Sequence, residues 1–191
     1  MRKKLLSALL AVSLLAGSIT PISLLGDTTV VAEAAKKNTK KKEPSVKKIY
    51  NAIVKKYGKD YLADITLTEK EIKQRYGISS SWYTDIRAEI PMMSVHVDTL
   101  IIAKAKNKTA KKKIKKQLTT YRQGLIKDTN QYPMNALKIQ ASKIYEKGNY
   151  VFFIMLGSID SKMEETGTDE QIIKAYQKEN QKAVSAINAL F

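Results

Sequence analysis

Ser94, His96 and Asp98 fall within one short run, Ser94-Val95-His96-Val97-Asp98, and they are the three side-chain types of a hydrolytic triad. A triad works only when nucleophile, base and orienting carboxylate converge from set directions. Residues two apart on one extended segment do not supply that convergence, so catalysis by His96 is not expected. Asp85, Glu89 and Asp98 are a second candidate set, because paired carboxylates can divide acid and base work when burial pushes their pKa values apart. A buried pair in a cleft favours an enzyme acting on cell-wall material; three exposed acids on a wet sheet face do not. Asp85 and Glu89 share one strand and one parity, whereas Asp98 belongs to the neighbouring strand.

Metal and cofactor chemistry have little to work with. The chain has no Cys and one His, which excludes a disulfide framework, a thiolate site and a histidine cluster. Asp160, Glu164, Glu165, Asp169 and Glu170 crowd one stretch but lack the D-x-[DN]-x-[DN]-G spacing of a calcium loop. A helix N-terminus, whose dipole favours acids, accounts for them more simply. Gly148 has no phosphate-loop company and reads as a turn glycine, so no cofactor is expected. Trp82 beside Tyr83 could stack a sugar, although packing against the first helix is the simpler role.

Charge is the stronger signal. The 191 residues carry 34 Lys and Arg against 18 Asp and Glu, a net charge of +16. The excess sits in two places. Residues 35–48 hold Lys36, Lys37, Lys40, Lys41, Lys42, Lys47 and Lys48 against one acid, Glu43. Such a run is solvated and extended, either a plain linker or an electrostatic tether to an anionic surface. Residues 104–127 hold ten bases and no acid. There Lys108, Lys111, Lys112, Lys113, Lys115, Lys116, Arg122 and Lys127 lie mostly off the apolar stripe of a helix and form a cationic strip. Without Glu at i+4 the strip repels itself, which costs stability and favours a polyanionic partner. Nucleic acid is not expected, because an export signal precedes the domain and only Tyr121 is interleaved for base stacking. The expected partner is an anionic cell-wall polymer, a membrane surface or another envelope protein.

The export signal is read from Arg2-Lys3-Lys4, the apolar stretch Leu5 to Ala16, and the small-residue end at Ala32 and Ala34. Pro21, Asp27 and two Thr interrupt the apolar character before a membrane-spanning length of about 20 residues is reached. Residues 1–34 are therefore expected to be removed, residues 35–45 to form a basic linker, and residues 46–191 to form a single domain with no transmembrane span.

The elements of that domain follow from periodicity. Ser45 caps a helix with Val46, Ile49, Tyr50, Ile53, Val54 and Tyr57 on one face, stopped by Gly58. Thr68 and Glu71 make a capping box for a short helix ended by Gly77. Alternation from Tyr83 to Ile90 predicts a strand with one wet face, paired through Pro91-Met92-Met93-Ser94 with a second strand from Val95 to Ala105. Asn107 or Thr109 caps a long helix with Ala110, Ile114, Leu118, Tyr121 and Leu125 as its stripe. A short helix from Pro133 leads through Ala141 to Tyr145 into the turn Glu146 to Asn149, then into the central strand Tyr150 to Leu156. Asp160 to Gly167 reads as a polar loop, and Thr168 and Asp169 cap a last helix bearing Ile173, Tyr176, Asn180, Val184, Ile187 and Phe191. The expected fold is α+β: a four-stranded, mainly antiparallel sheet of two hairpins with packed helices, in the order α-α-β-β-α-β-β-α.

Three runs, LTEKEIKQRYGIS at Leu67 to Ser79, DIRAEIPMMSVHVDTLIIAKAK at Asp85 to Lys106 and YPMNALKIQASKIYEKGNYVFFIML at Tyr132 to Leu156, resemble the domain of unknown function 4358 family. The resemblance spans about Val46 to Ser161. It implies an exported domain of Gram-positive bacteria with no assigned activity, cofactor or catalytic residue. The cysteine that anchors some members to lipid has no counterpart here. The expected function is a secreted, envelope-associated binding or structural module, the alternative being a wall-acting enzyme using the sheet carboxylates.

Overall fold

The computed structural model of the chain describes residues 42–191. The expected export signal, and Lys36, Lys37, Lys40 and Lys41 of the tether, lie outside the described residues.

Local chemistry sets the helix ends. In α1 (Val46–Tyr57) the Ser45 hydroxyl accepts from the Lys48 N–H, and Val46, Ile49, Ile53 and Tyr57 are buried. In α2 (Glu69–Tyr76) Thr68 and Glu71 cap each other's backbone, and in α3 (Lys108–Lys127) the Asn107 side chain accepts from the Ala110 N–H. Pro133 opens α4 (Pro133–Ala141), where a missing N–H costs nothing. Two helices follow the sheet, α5 (Ser161–Thr166) and α6 (Asp169–Asn188), the latter capped by Thr168 with Gln171 reaching back.

Five strands, β1 (Ile65–Thr66), β2 (Tyr83–Ile90), β3 (Thr99–Ala105), β4 (Lys143–Lys147) and β5 (Tyr150–Met155), form one sheet in the order β1-β2-β3-β5-β4. Every neighbouring pair is antiparallel. The fold is α+β as expected, but the sheet has five strands instead of four. The extra one, β1, pairs Ile65 with Ile90 and Thr66 with Glu89, and two residues are too few to show a period. The element order also differs, because β1 precedes α2 and α5 replaces the expected polar loop, whereas the short helix expected from Pro133, left out of that order, is present as α4. Asp160 starts α5 by accepting from the N–H groups of Lys162 and Met163.

The hairpin between β2 and β3 is looser than the alternation suggested. Its second strand starts at Thr99, not Val95, so Pro91 to Asp98 is a loop. The reason is Asp98, which is fully buried and bonded to Lys138 and to the Gly157 N–H instead of lying beside β2.

Both faces of the sheet are covered. On one, α2, α3 and α4 bring Ile72, Tyr76, Ile114, Leu118 and Ile139 onto Ala88, Ile101, Ala103, Val151 and Phe153. On the other, α1 and α6 bring Ile49, Ile53, Tyr57, Val184 and Ile187 onto Leu100, Ile102, Tyr150, Phe152 and Ile154. All six residues of β5 are buried, which explains its unbroken apolar run; a Phe152 side chain withdrawn from water contributes about 1.5–3 kcal/mol. The outward face of β2 is not wholly wet, since Glu89 is buried beside Tyr61 and only Asp85 of its two acids is exposed. Trp82 packs with the α3 core, not against α1. Among the described residues, no helix is long and apolar enough to cross a membrane.

Candidate functional site

The bases of helix α3 sit in three kinds of surroundings. Lys108, Lys112, Lys113 and Lys116 are exposed, with the Lys113 ammonium 5.5 Å from the centre of the Trp82 ring. Lys111 and Lys115, one turn apart, reach β4 instead, where their ammonium groups lie 3.3 and 2.5 Å from the Glu146 carboxylate. Lys111 also donates to the Gly148 carbonyl at 2.8 Å. Hydrogen bonding from Lys115, with that from Lys111, holds the Glu146 carboxyl below the usual carboxylate range despite partial burial. Arg122 is different again. Its Nε donates to the Ser142 carbonyl and hydroxyl at 3.0 and 2.9 Å, and its Nη2 to the Gln140 carbonyl at 2.7 Å, so it fastens the end of α4 to α3.

The described end of the Lys-rich segment joins the fold near the Gly148 turn. Lys42 is exposed, and the next residue, Glu43, accepts from the Asn149 backbone N–H at 2.8 Å and from its side chain at 3.3 Å. The Tyr150 hydroxyl donates to the Pro44 carbonyl. Gly148 turns the corner at φ 51°, and any side chain there would strike the Glu43 carboxylate.

The three sheet carboxylates do not converge. Asp85 is exposed. Glu89, 1% exposed, accepts from the Tyr61 hydroxyl at 2.6 Å, the Thr66 hydroxyl at 2.9 Å and Arg87 Nε at 2.7 Å, while the Arg87 guanidinium stacks 3.7 Å from the Tyr50 ring centre. Burial, then its hydrogen bond to Glu89, pushes the Tyr61 phenol far up, so it stays a donor. Asp98 lies elsewhere, under the 91–98 loop, 2.6 Å from Lys138 Nζ and 3.1 Å from the Gly157 N–H. Each buried carboxylate thus has its own cation and its own hydrogen bonds, which is an arrangement for fixing structure. Asp98 turns to Lys138 and Gly157, so Ser94, His96 and Asp98 form no triad.

His96 lines clefts beside the loop, the larger about 400 Å³ and walled by Arg75, Ile90, Met92, Tyr121 and Leu125. Met92, Met93 and Val95 are exposed at the tip. The acidic stretch 160–170 gathers no ligand set; Asp160 caps α5 and Glu164 accepts from the buried Tyr176 hydroxyl at 2.6 Å. Among the described residues, no group of three His, Cys, Asp or Glu could hold a metal ion.

A basic cleft went unread in the sequence. It lies at the β4 edge of the sheet and is lined by Arg122, Gln140, Lys143, Lys174, Lys178 and Gln181, among others. Apart from Arg122, which belongs to the α3 strip, its residues come from other elements and form no run, so no local pattern pointed to them.

Comparison with curated proteins and with solved structures finds no match. A family model described as "Domain of unknown function (DUF4358)" matches residues 59–156, just over half of the chain. The matched span contains all five strands with α2, α3 and α4, and leaves out α1, α5 and α6. The chain therefore belongs to the DUF4358 family, the one that the three sequence runs resembled.

Proposed function

We propose that the chain is an exported, non-enzymatic binding module of the cell envelope, held to an anionic surface by its Lys-rich segment and by α3. One observation carries the reading. Lys108, Lys112, Lys113 and Lys116 stand in water on one helix, and among the described residues no carboxylate lies within ion-pair distance of any of them. Like charges at i and i+4, such as Lys108, Lys112 and Lys116, weaken a helix unless something outside neutralises them. A polyanion does so, and gains from releasing its counterions. Against the alternative, a wall-acting enzyme using Asp85, Glu89 and Asp98, stands the separate and fully paired burial of two of the three acids.

The test is retention on anionic wall polymer at rising salt. Changing Lys108, Lys112, Lys113 and Lys116 to Gln is expected to weaken retention and to flatten its salt dependence by about one unit of log–log slope per lost contact. If that variant keeps the original slope while changing Lys36, Lys37, Lys40, Lys41 and Lys42 to Gln abolishes retention, the helix is solvated surface and the segment alone is the tether.

A further inference from the structure

The basic cleft at the β4 edge has a volume of about 590 Å³ and opens between the end of α4, the start of β4 and the outer side of α6. Four cations line it, Arg122, Lys143, Lys174 and Lys178, and no acid does. Among the described residues, the one ion pair of these four cations is that of Lys174 with Glu170, exposed on α6 and 2.7 Å away. The floor offers a ligand little. Ala141, Ser142 and Asn180 are buried there, and Asn180 spends its amide on the Leu156 N–H and the Ala141 carbonyl.

Arg122 is the fixed point of the rim. A guanidinium has five N–H donors, and the contacts to Ser142 and Gln140 use its Nε–H and one on Nη2, so the fork is held rigid with donors to spare. Planar, oriented donors suit the paired oxygens of a phosphate, and the lysines add mobile point charges around it. Lys143 has a single 3.3 Å bond to the Gln181 carboxamide, and Lys178 is exposed with no ion pair among the described residues. Along α3, Lys108, Lys115 and Arg122 recur every seven residues and so lie on one side of the helix. That side of α3 runs from the exposed Lys108 to the cleft, with Lys115 between them bound to Glu146.

We infer that this cleft seats a phosphodiester chain, with one phosphate on the Arg122 fork and its neighbour on Lys143 and Lys178. The inference rests on the polyanion reading above and names the chemistry and place of binding. A shallow, open, quadruply cationic cleft suits a repeating single charge better than one carboxylate, which a single Arg would satisfy.

The experiment is calorimetric titration of the full chain with a synthetic glycerol phosphate oligomer, repeated with polyglutamate of the same charge number. The double variant Lys143→Gln, Lys178→Gln alters exposed side chains only, and an unchanged Tm verifies its fold. Expected is roughly tenfold weaker binding of the phosphate oligomer, with a salt slope lower by about two. Equal binding by wild type and double variant overturns the cleft while leaving the α3 reading intact. Absence of any binding by the wild-type chain sinks both. If polyglutamate binds as tightly and loses the same factor in the variant, the cleft is a general anion seat and the phosphate assignment is wrong.

Discussion

Lys138 and Lys178 carry the same ammonium group in opposite surroundings. Lys138, under the 91–98 loop, is 6% exposed and locked to the fully buried Asp98, whereas Lys178 at the β4 edge stands in water without an ion-pair partner among the described residues. The same contrast separates the two regions as wholes. Beneath the loop, charges are few, paired and dry; along α3 and the β4 edge they are many and mostly exposed, and several lack an ion-pair partner among the described residues. Burial makes a charge costly unless its partner is fixed, so the loop region spends its polar groups on defining one arrangement of the chain. Solvation makes a charge cheap and weak, so the β4 edge can carry cations such as Lys178 with no fixed partner.

The largest effect should come from breaking the dry pair. Lys138→Met leaves Asp98 buried and uncompensated, and urea unfolding should show a loss of about 3–5 kcal/mol. A loss below about 1 kcal/mol would mean that water reaches Asp98 and that the two regions differ less than described. Next is Asn180→Leu, which orphans the Leu156 N–H and the Ala141 carbonyl; each buried group left without a partner should cost about 1–3 kcal/mol in the same measurement.

An alkaline titration probes the interior between these extremes. Burial pushes the Tyr150 phenol up to about 12, and it raises Tyr57, Tyr61, Tyr76 and Tyr176 as well. A raised folded-state value means that the native protein holds the proton more tightly than the unfolded chain. Stability from Tyr150 is therefore complete below the ordinary tyrosine value of about 10 and is lost as pH rises toward about 12. Thermal melts across that range should show Tm falling, and a flat profile would contradict the burial of these rings.

The smallest effect is expected at the wet side. Glu146→Gln removes the partner of Lys111 and Lys115, yet Lys115 is half-exposed, so the loss should stay below about 1 kcal/mol in urea. Because the Glu146 carboxyl is held low, its contribution is present above the ordinary carboxylate range and disappears as pH falls through the depressed value. A larger loss would show that the pair is structural and would blur the contrast.

Much of the dry architecture was legible because its signals are local. Ser45, Thr68 with Glu71, Asn107 and Thr168 cap the helices expected of them, since a cap needs only residues up to three positions away. The apolar run Tyr150 to Leu156 announced an interior strand for the same reason. What stayed hidden depends on distant partners. Asp98 leaves the strand because of Lys138, forty residues on, and Lys111 and Lys115 find Glu146 on β4, so the acid-free helix is compensated in part. The short elements β1 and α5 escaped because neither is long enough to show a repeat. Of the candidate binding residues, the exposed α3 lysines were readable as a run, while Lys143, Lys174 and Lys178 become neighbours only through folding.

The clasp of Glu43 on Asn149 and of Pro44 on Tyr150 has a mechanical consequence. A pull on the chain N-terminal to Glu43 does not first meet the free end of a helix. It meets hydrogen bonds to the head of β5, a strand paired with β3 on one side and β4 on the other. Peeling α1 from its N-terminal end therefore requires that clasp to yield first, and the pull passes to a strand held along both edges.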